Sequence, residues 1–246
     1  MKNFVGQALY RMKQMGDEFV SKEYWAEKEN IKLHIFRRQL ASPSADGSPK
    51  PISFFVHGSS YSGITGHDLE VPGREDYSLM NTFARLGYDV WSMDHEGYGF
   101  SGLREGANSD IASGVEDLKA ATDIIIKETG VSSFLFSGQS SGALRAAAFA
   151  EAYPERVKRL ALGAMVWTGE GSPTLAERSK KLDQWRSSNK RPVNREFFET
   201  IFSRDIDGLA DKDVAMAMEV AMRNMILEGS LKPLKNCRLK FIHFQS

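Results

Sequence analysis

The apolar positions of this chain change period several times, and each change marks an element. Residues 31–40, IKLHIFRRQL, read as a strand, and ASPSADGSPKP after them has the Ser, Pro, Gly and Asp density of an exposed turn. ISFFVHG (52–58) is a β-rich apolar run ending at glycine, a buried strand that opens into a loop. From Tyr77 to Leu86 the apolar Leu79, Met80, Phe83 and Leu86 follow helical spacing, and Gly87 stops that helix. YDVWSMD (88–94) is a second buried strand, and Val115, Leu118, Thr122 and Ile125 predict a helix that ends at Gly130. SSFLFSG (132–138) is again strand-like, Ala143 to Ala152 is a strong helix former stopped by Pro154, and VKRLALGAMV (157–166) supplies one more strand.

Strands alternating with helices imply right-handed crossovers and a mostly parallel central sheet flanked by helices, an α/β fold. Ligands bind such sheets beyond the carboxyl ends of the strands. After Trp167 the rhythm changes, and from 169 to about 230 the chain is charged and helical without a convincing strand. Its place directly after a strand end predicts a helical insertion over the active face. Met218, Met222 and Met225 share a helical face there, as ordinary core or as an adaptable apolar pocket. RLKFIHF (238–244) reads as a further strand. At the other end Val5, Leu9, Met12 and Phe19 fall on one helical face, an amphipathic extension that packs on the body or meets a lipid or partner.

Composition narrows the classes. A chain of 246 residues, 41% apolar, has room for one sizeable core. Its 32 Lys and Arg balance 32 Asp and Glu, so nothing favours nucleic acid or an anionic membrane, and a neutral small molecule is a compatible partner. The single Cys237 excludes an intrachain disulfide and suits a reducing compartment. Gln7, Arg11 and Lys13 interrupt the apolar run a secretory signal needs, and no segment approaches the ~18 apolar residues of a membrane span. The expectation is a soluble, cytoplasmic protein.

The candidate chemistry lies in SGQSSGA. Gly138-Gln139-Ser140-Ser141-Gly142 matches G-x-S-x-G between a β-rich run and an alanine-rich helix, the setting in which a serine occupies a tight strand-to-helix turn. Only small residues two places either side let strand and helix pass that closely, which selects Ser140 over Ser141 as nucleophile. The Ser141 N–H at the helix start would face an oxygen that becomes negative as Ser140 attacks a carbonyl. A second donor is expected from HGSSYSG (57–63), with the N–H of Ser59 or Ser60 the candidates.

With these motifs in hand, the chain resembles the α/β-hydrolase superfamily. VHGSS resembles its oxyanion loop, MDHEGYGFSG (93–102) its D-x-x-G-x-G-x-S turn and GQSSG its nucleophile elbow, in the family's order and covering about residues 31–168. The resemblance implies a core over 1–168, a cap over 169–230 and a return to the core over 231–246. It also implies hydrolysis through an acyl-enzyme, with no metal or organic cofactor. His57 is then a structural residue of its loop, and Asp94 and Ser101 shape their turn by local hydrogen bonds. His67 and His95 are surface residues or substrate contacts. Trp185, Phe197, Phe198 and Phe202 line a pocket or form the core of the cap.

The family's order is Ser, then Asp or Glu, then His. The strand that should precede the acid ends close to Ser246, so the expected acid loop, last strand and histidine have no residues here, and truncation of a longer hydrolase is expected. His243 falls inside that strand. Glu170 is an acid that could orient a histidine, or a solvated residue at the start of the cap. The leading expectation is a serine hydrolase cleaving a carboxylic ester of a small or medium apolar substrate. The alternative is a catalytically incomplete, ligand-binding homologue.

Overall fold

The computed structural model describes residues 19–59, 61–74, 77–106, 108–166, 168–187, 206 and 211–231. Its centre is a six-stranded sheet in the order β1-β2-β4-β3-β5-β6. The strands are β1 (Phe19–Lys28), β2 (Ile31–Leu40), β3 (Ile52–Val56), β4 (Asp89–Met93), β5 (Phe134–Gln139) and β6 (Val157–Gly163). β1, β2 and β4 pair antiparallel in succession, and β4, β3, β5 and β6 run parallel.

Helices α1 (Gly63–His67), α2 (Leu79–Arg85), α3 (Ile111–Thr129) and α4 (Ser141–Ala152) connect the strands. β3 and β4 are buried along their whole length, so they read as apolar-rich runs in which even the polar Ser53, Asp89 and Ser92 are buried. Alternate side chains feed two layers. Phe54, Trp91, Phe134 and Phe136 pack with Leu118, Ala121 and Ile125 of α3 and Ala146 and Phe149 of α4. Phe36, Phe55 and Val90 meet Met80 and Ala84 of α2 on the other face. Each buried Val, Leu, Ile, Phe or Met among them contributes about 1.5–3 kcal/mol. Ser78 caps α2 by accepting from the Asn81 N–H, and Asp110 caps α3 by accepting from the Ser113 N–H.

β1 was not predicted, and Phe19 opens that strand instead of joining a helical face. The strand is an edge with four charged residues, so its alternation is mostly polar. Glu29 and Asn30 join it to β2 with φ of 47° and 67°, the positive values a two-residue hairpin turn demands. Residues 1–18, which carry the rest of that predicted helical face, lie outside the described residues.

Beyond β6 come α5 (Pro173–Ser179), α6 (Leu182–Ser187) and α7 (Lys212–Leu231). Val214, Ala215, Ala217, Met218 and Met222 of α7 pack on Leu69 and Val71, with Tyr61 alongside, so these methionines form core with the segment after β3. Phe197, Phe198, Phe202, the side chain of Trp185, Cys237, the predicted strand 238–244 with His243, and the expected truncation lie outside what is described. No helix among the described residues is long and apolar enough to cross a membrane.

Candidate functional site

β5 ends at Gln139 and α4 begins at Ser141, so the chain reverses at Ser140 alone. Ser140 has φ 56° and ψ −124°, a conformation that costs a non-glycine residue on the order of 1–3 kcal/mol. Its neighbours show what enforces it. A Cβ on Gly138 would stand 2.5 Å from the Gly142 oxygen and 2.8 Å from the Ala143 Cα. A Cβ on Gly142 would fall on the Val56 oxygen and 2.6 Å from that of His57. The turn is tied down by the Ser140 N–H, which donates to the Gly163 oxygen of β6 at 2.9 Å. A serine preceding a helix ordinarily caps it with its hydroxyl. Ser140 makes no side-chain capping bond, and its residue is only half-buried.

The second loop lies against this turn. A Cβ on Gly58 would be 3.3 Å from Ser140 Cβ and 3.9 Å from Ser140 Oγ. His57 is fully buried, with Nδ1 2.7 Å from the Gly58 oxygen and Nε2 accepting from the His95 N–H at 3.0 Å. That pairing places the His57 proton on Nδ1. Burial, then the neighbouring His95 and Arg145, push the His57 pKa well below its ordinary value, so the ring is neutral. Because C=O and N–H of a trans peptide point in opposite directions, fixing the Gly58 carbonyl on His57 turns the Ser59 N–H away from His57. Ser60 lies outside the described residues.

The third motif is a turn organised by Asp94. Its carboxylate accepts from the N–H groups of Gly63 (2.8 Å) and Phe100 (3.1 Å) and faces His34 Nδ1 at 3.1 Å. Ser101 Oγ donates to the Asp94 carbonyl and accepts from the His34 N–H at 2.9 Å, so both residues shape the turn. His67 and His95 are not at the surface. His67 is buried on Phe55 with Nδ1 2.9 Å from Ser92 Oγ, and His95 Nδ1 lies 3.0 Å from Asp117 Oδ2. Burial pulls each pKa down to about 4, so both rings are neutral core groups rather than substrate contacts. Glu170 is exposed in the turn after β6, with its N–H donating to Thr168 Oγ1 at 3.3 Å.

The geometry adds residues that motif reading passed over. Tyr61 OH donates to Gln139 Oε1 at 3.4 Å, and Tyr98 OH to the Ser59 oxygen at 3.4 Å, so two tyrosines brace the loops around Ser140. Arg145, 2% exposed on α4, donates to Ser109, while its Nε and Nη1 are buried without partners. A charged residue on the face of α4 that carries Ala146 and Phe149 is the sequence signal that points to it. Ser141 Oγ is also buried without a hydrogen-bond partner, and the Ser141 N–H belongs to the first turn of α4, where helix N–H groups have no partner within the helix.

Among solved structures the chain is similar to the thioesterase domain from the curacin biosynthetic pathway (20% identity, TM-score 0.53, 82% of this chain and 67% of that one). It is similar to an epoxide hydrolase from Vigna radiata (17%, TM-score 0.53, 87% and 74%). A third likeness is 2-hydroxy-6-oxo-6-phenylhexa-2,4-dienoate hydrolase from Rhodococcus sp. strain RHA1 (18%, TM-score 0.52, 88% and 73%). This chain therefore spans about two thirds to three quarters of their lengths, and at such identities they attest the fold. A search of curated proteins returns no match. The family described as serine aminopeptidase, S33, matches residues 71–240, which include the Ser140 turn. On that match, with the sheet and turn just described, the chain belongs to this hydrolase family of the α/β-hydrolase superfamily.

Proposed function

We propose that the protein is a serine hydrolase that cleaves a carboxylic ester of a small or medium apolar substrate through an acyl-enzyme on Ser140. The observation that carries this reading is the strained Ser140, held at φ 56° at the start of α4 with its hydroxyl withheld from capping. In the reaction Oγ attacks the ester carbonyl and loses its proton to a general base. The carbonyl oxygen becomes an oxyanion held by the Ser141 and Ser59 N–H groups, and the alcohol leaves to give an acyl-serine that water hydrolyses. The N-terminal dipole of α4 favours the same negative charge. Helices α5 to α7 would form the cap over 169–230, with α7 seated beside Tyr61. Thioesters, amides and carbon–carbon bonds next to a carbonyl are reached by the same attack, and the family description and the similar thioesterase domain name the amide and thioester cases.

A second reading, a ligand-binding homologue without turnover, draws on the histidines. His34, His57, His67 and His95 are turned to Asp94, Gly58, Ser92 and Asp117, so each of these described histidines is committed to the core. A fluorophosphonate probe separates the two. Labelling that Ser140→Ala abolishes supports the hydrolase, whereas an unlabelled chain that still binds an apolar ester favours the binding module.

A further inference from the structure

Behind the Gly58 loop lies a group of charges to which the motifs contribute only Glu96, from the 93–102 turn. Lys28, the last residue of β1, is 9% exposed, and Glu96 and Asp117 are 1% and 0% exposed. Lys28 Nζ contacts Asp117 Oδ1 and lies 2.8 Å from Glu96 Oε2 and 3.0 Å from Ser113 Oγ. Arg104 closes the group from the rim, with Nε 2.9 Å from Glu96 Oε1. The other Asp117 oxygen, Oδ2, accepts from His95 Nδ1 and from the Glu96 N–H, each at 3.0 Å. Buried ion pairs stabilise little over an apolar packing of equal volume, so stability alone is a weak account of this group. What it touches suggests another role, because His95 is the residue whose N–H meets His57.

We propose that Asp117, clamped by Lys28, is a positioning residue for the oxyanion loop. It holds the His95 ring and the Glu96 N–H on one oxygen, aims the His95 N–H at His57 Nε2, and thereby sets the Gly58–Ser59 peptide. The inference rests on the reading of Ser140 as nucleophile and Ser59 as donor, and deepens it. No member of the relay touches substrate. Each link is a hydrogen bond with a single donor direction. Lys28 occupies Oδ1 and leaves Oδ2 for His95 and Glu96. The His95 N–H can donate only where the 95–96 backbone is fixed, and a donor on Nε2 forces the His57 proton onto Nδ1, where it holds the Gly58 carbonyl. Losing Asp117 would leave two buried donors without an acceptor and allow the 95–96 backbone to move.

The test uses the full chain and three variants. Asp117→Leu removes the acceptor. Asp117→Asn keeps an acceptor for His95 and Glu96 but turns its NH2 toward Lys28, and adding Lys28→Met removes that conflict. Ser140 labelling by a fluorophosphonate should slow by roughly 10- to 100-fold in Asp117→Leu, the scale of a misplaced oxyanion donor. The Asp117→Asn/Lys28→Met pair should label faster than Asp117→Asn alone. Imidazole 15N signals of His57 should report one Nδ1–H tautomer in the wild type and a mixture in Asp117→Leu, a change that mere loosening elsewhere in the core would not produce. If Asp117→Leu does not fold, the single and double asparagine variants carry the comparison. Wild-type labelling rates and an unchanged His57 tautomer in the variants would overturn the proposal. A wild-type chain that takes no probe would instead sink the hydrolase reading, and the His57 signals would still decide the relay.

Discussion

Gly142 sits with its Cα directly over the carbonyl oxygens that end β3, so near that a Cβ would fall on Val56 O and stand 2.6 Å from His57 O. Both contacts are backbone, which cannot swing aside as a side chain could. Gly142→Ala should therefore cost about 2–4 kcal/mol in urea unfolding, above the usual surface substitution, and should displace α4 from the Ser140 turn. An unchanged midpoint would show that the approach of helix and strand is looser than described.

Acid should destabilise the fold before its surface carboxylates matter. His67 and His95 have folded pKa values near 4, below the ordinary 6.5, because burial disfavours their charged form. Between those values the unfolded chain binds protons that the native one refuses, so stability falls as pH drops from 6.5 toward 4. The loss is at most roughly 3 kcal/mol for each histidine. Asp117 acts in the same direction. Burial works to raise its pKa, but the bonds and charges of His95 and Lys28 hold it below the ordinary value, so its contribution is present above that value and lost on acidification. Thermal melts across pH 7 to 4 should show a steady fall, and His67→Phe should flatten it.

Arg145→Met is expected to be mild. The wild-type side chain has two buried nitrogens without partners, each a penalty of about 1–3 kcal/mol, set against its charge-assisted bonds to Ser109. Net loss should stay within about 1 kcal/mol, where breaking a well-paired buried charge costs about 3–5. The same variant should raise the His95 and His57 pKa values toward the ordinary range, since the Arg145 charge adds to burial in depressing both. Ring titration by NMR measures this, and a further fall would contradict it.

Met222→Ala should loosen α7 from the Leu69–Val71 segment, at a cost of about 2–5 kcal/mol to that contact. Limited proteolysis should then cut within 211–231 sooner, while the cutting pattern of β3 to β5 stays as it is.

Several elements were legible in the sequence because their burial is continuous, as in β3, or follows the helical period, as in α3. Phe54 and Phe55 feed opposite layers of a wholly buried β3, and Gly130, with φ 72°, ends α3 where the helical spacing stops. β1 was hidden because Lys22, Glu23, Glu27 and Lys28 break the apolar alternation of an edge strand whose core side is carried by Tyr24 and Ala26. The same limit governs the site. Gly138 and Gly142 announce a close backbone approach by their spacing, but nothing near Lys28 in the sequence says that its ammonium meets Asp117, 89 residues away. His67 and His95 read as loop residues because local pattern carries no information on which layer closes over them.

The turn at Ser140 is built by its surroundings: two glycines, a bond from its N–H to Gly163 and the packing of α4 on β3. None of these involves the Ser140 side chain. Residue 140 is thus a mount that is indifferent to what it carries, and a cysteine or aspartate placed there would meet the same backbone and the same helix terminus. With Ser140 as the proposed nucleophile, the architecture would set where the reacting atom stands, and the choice of atom, and with it the reaction, would be left to a single codon.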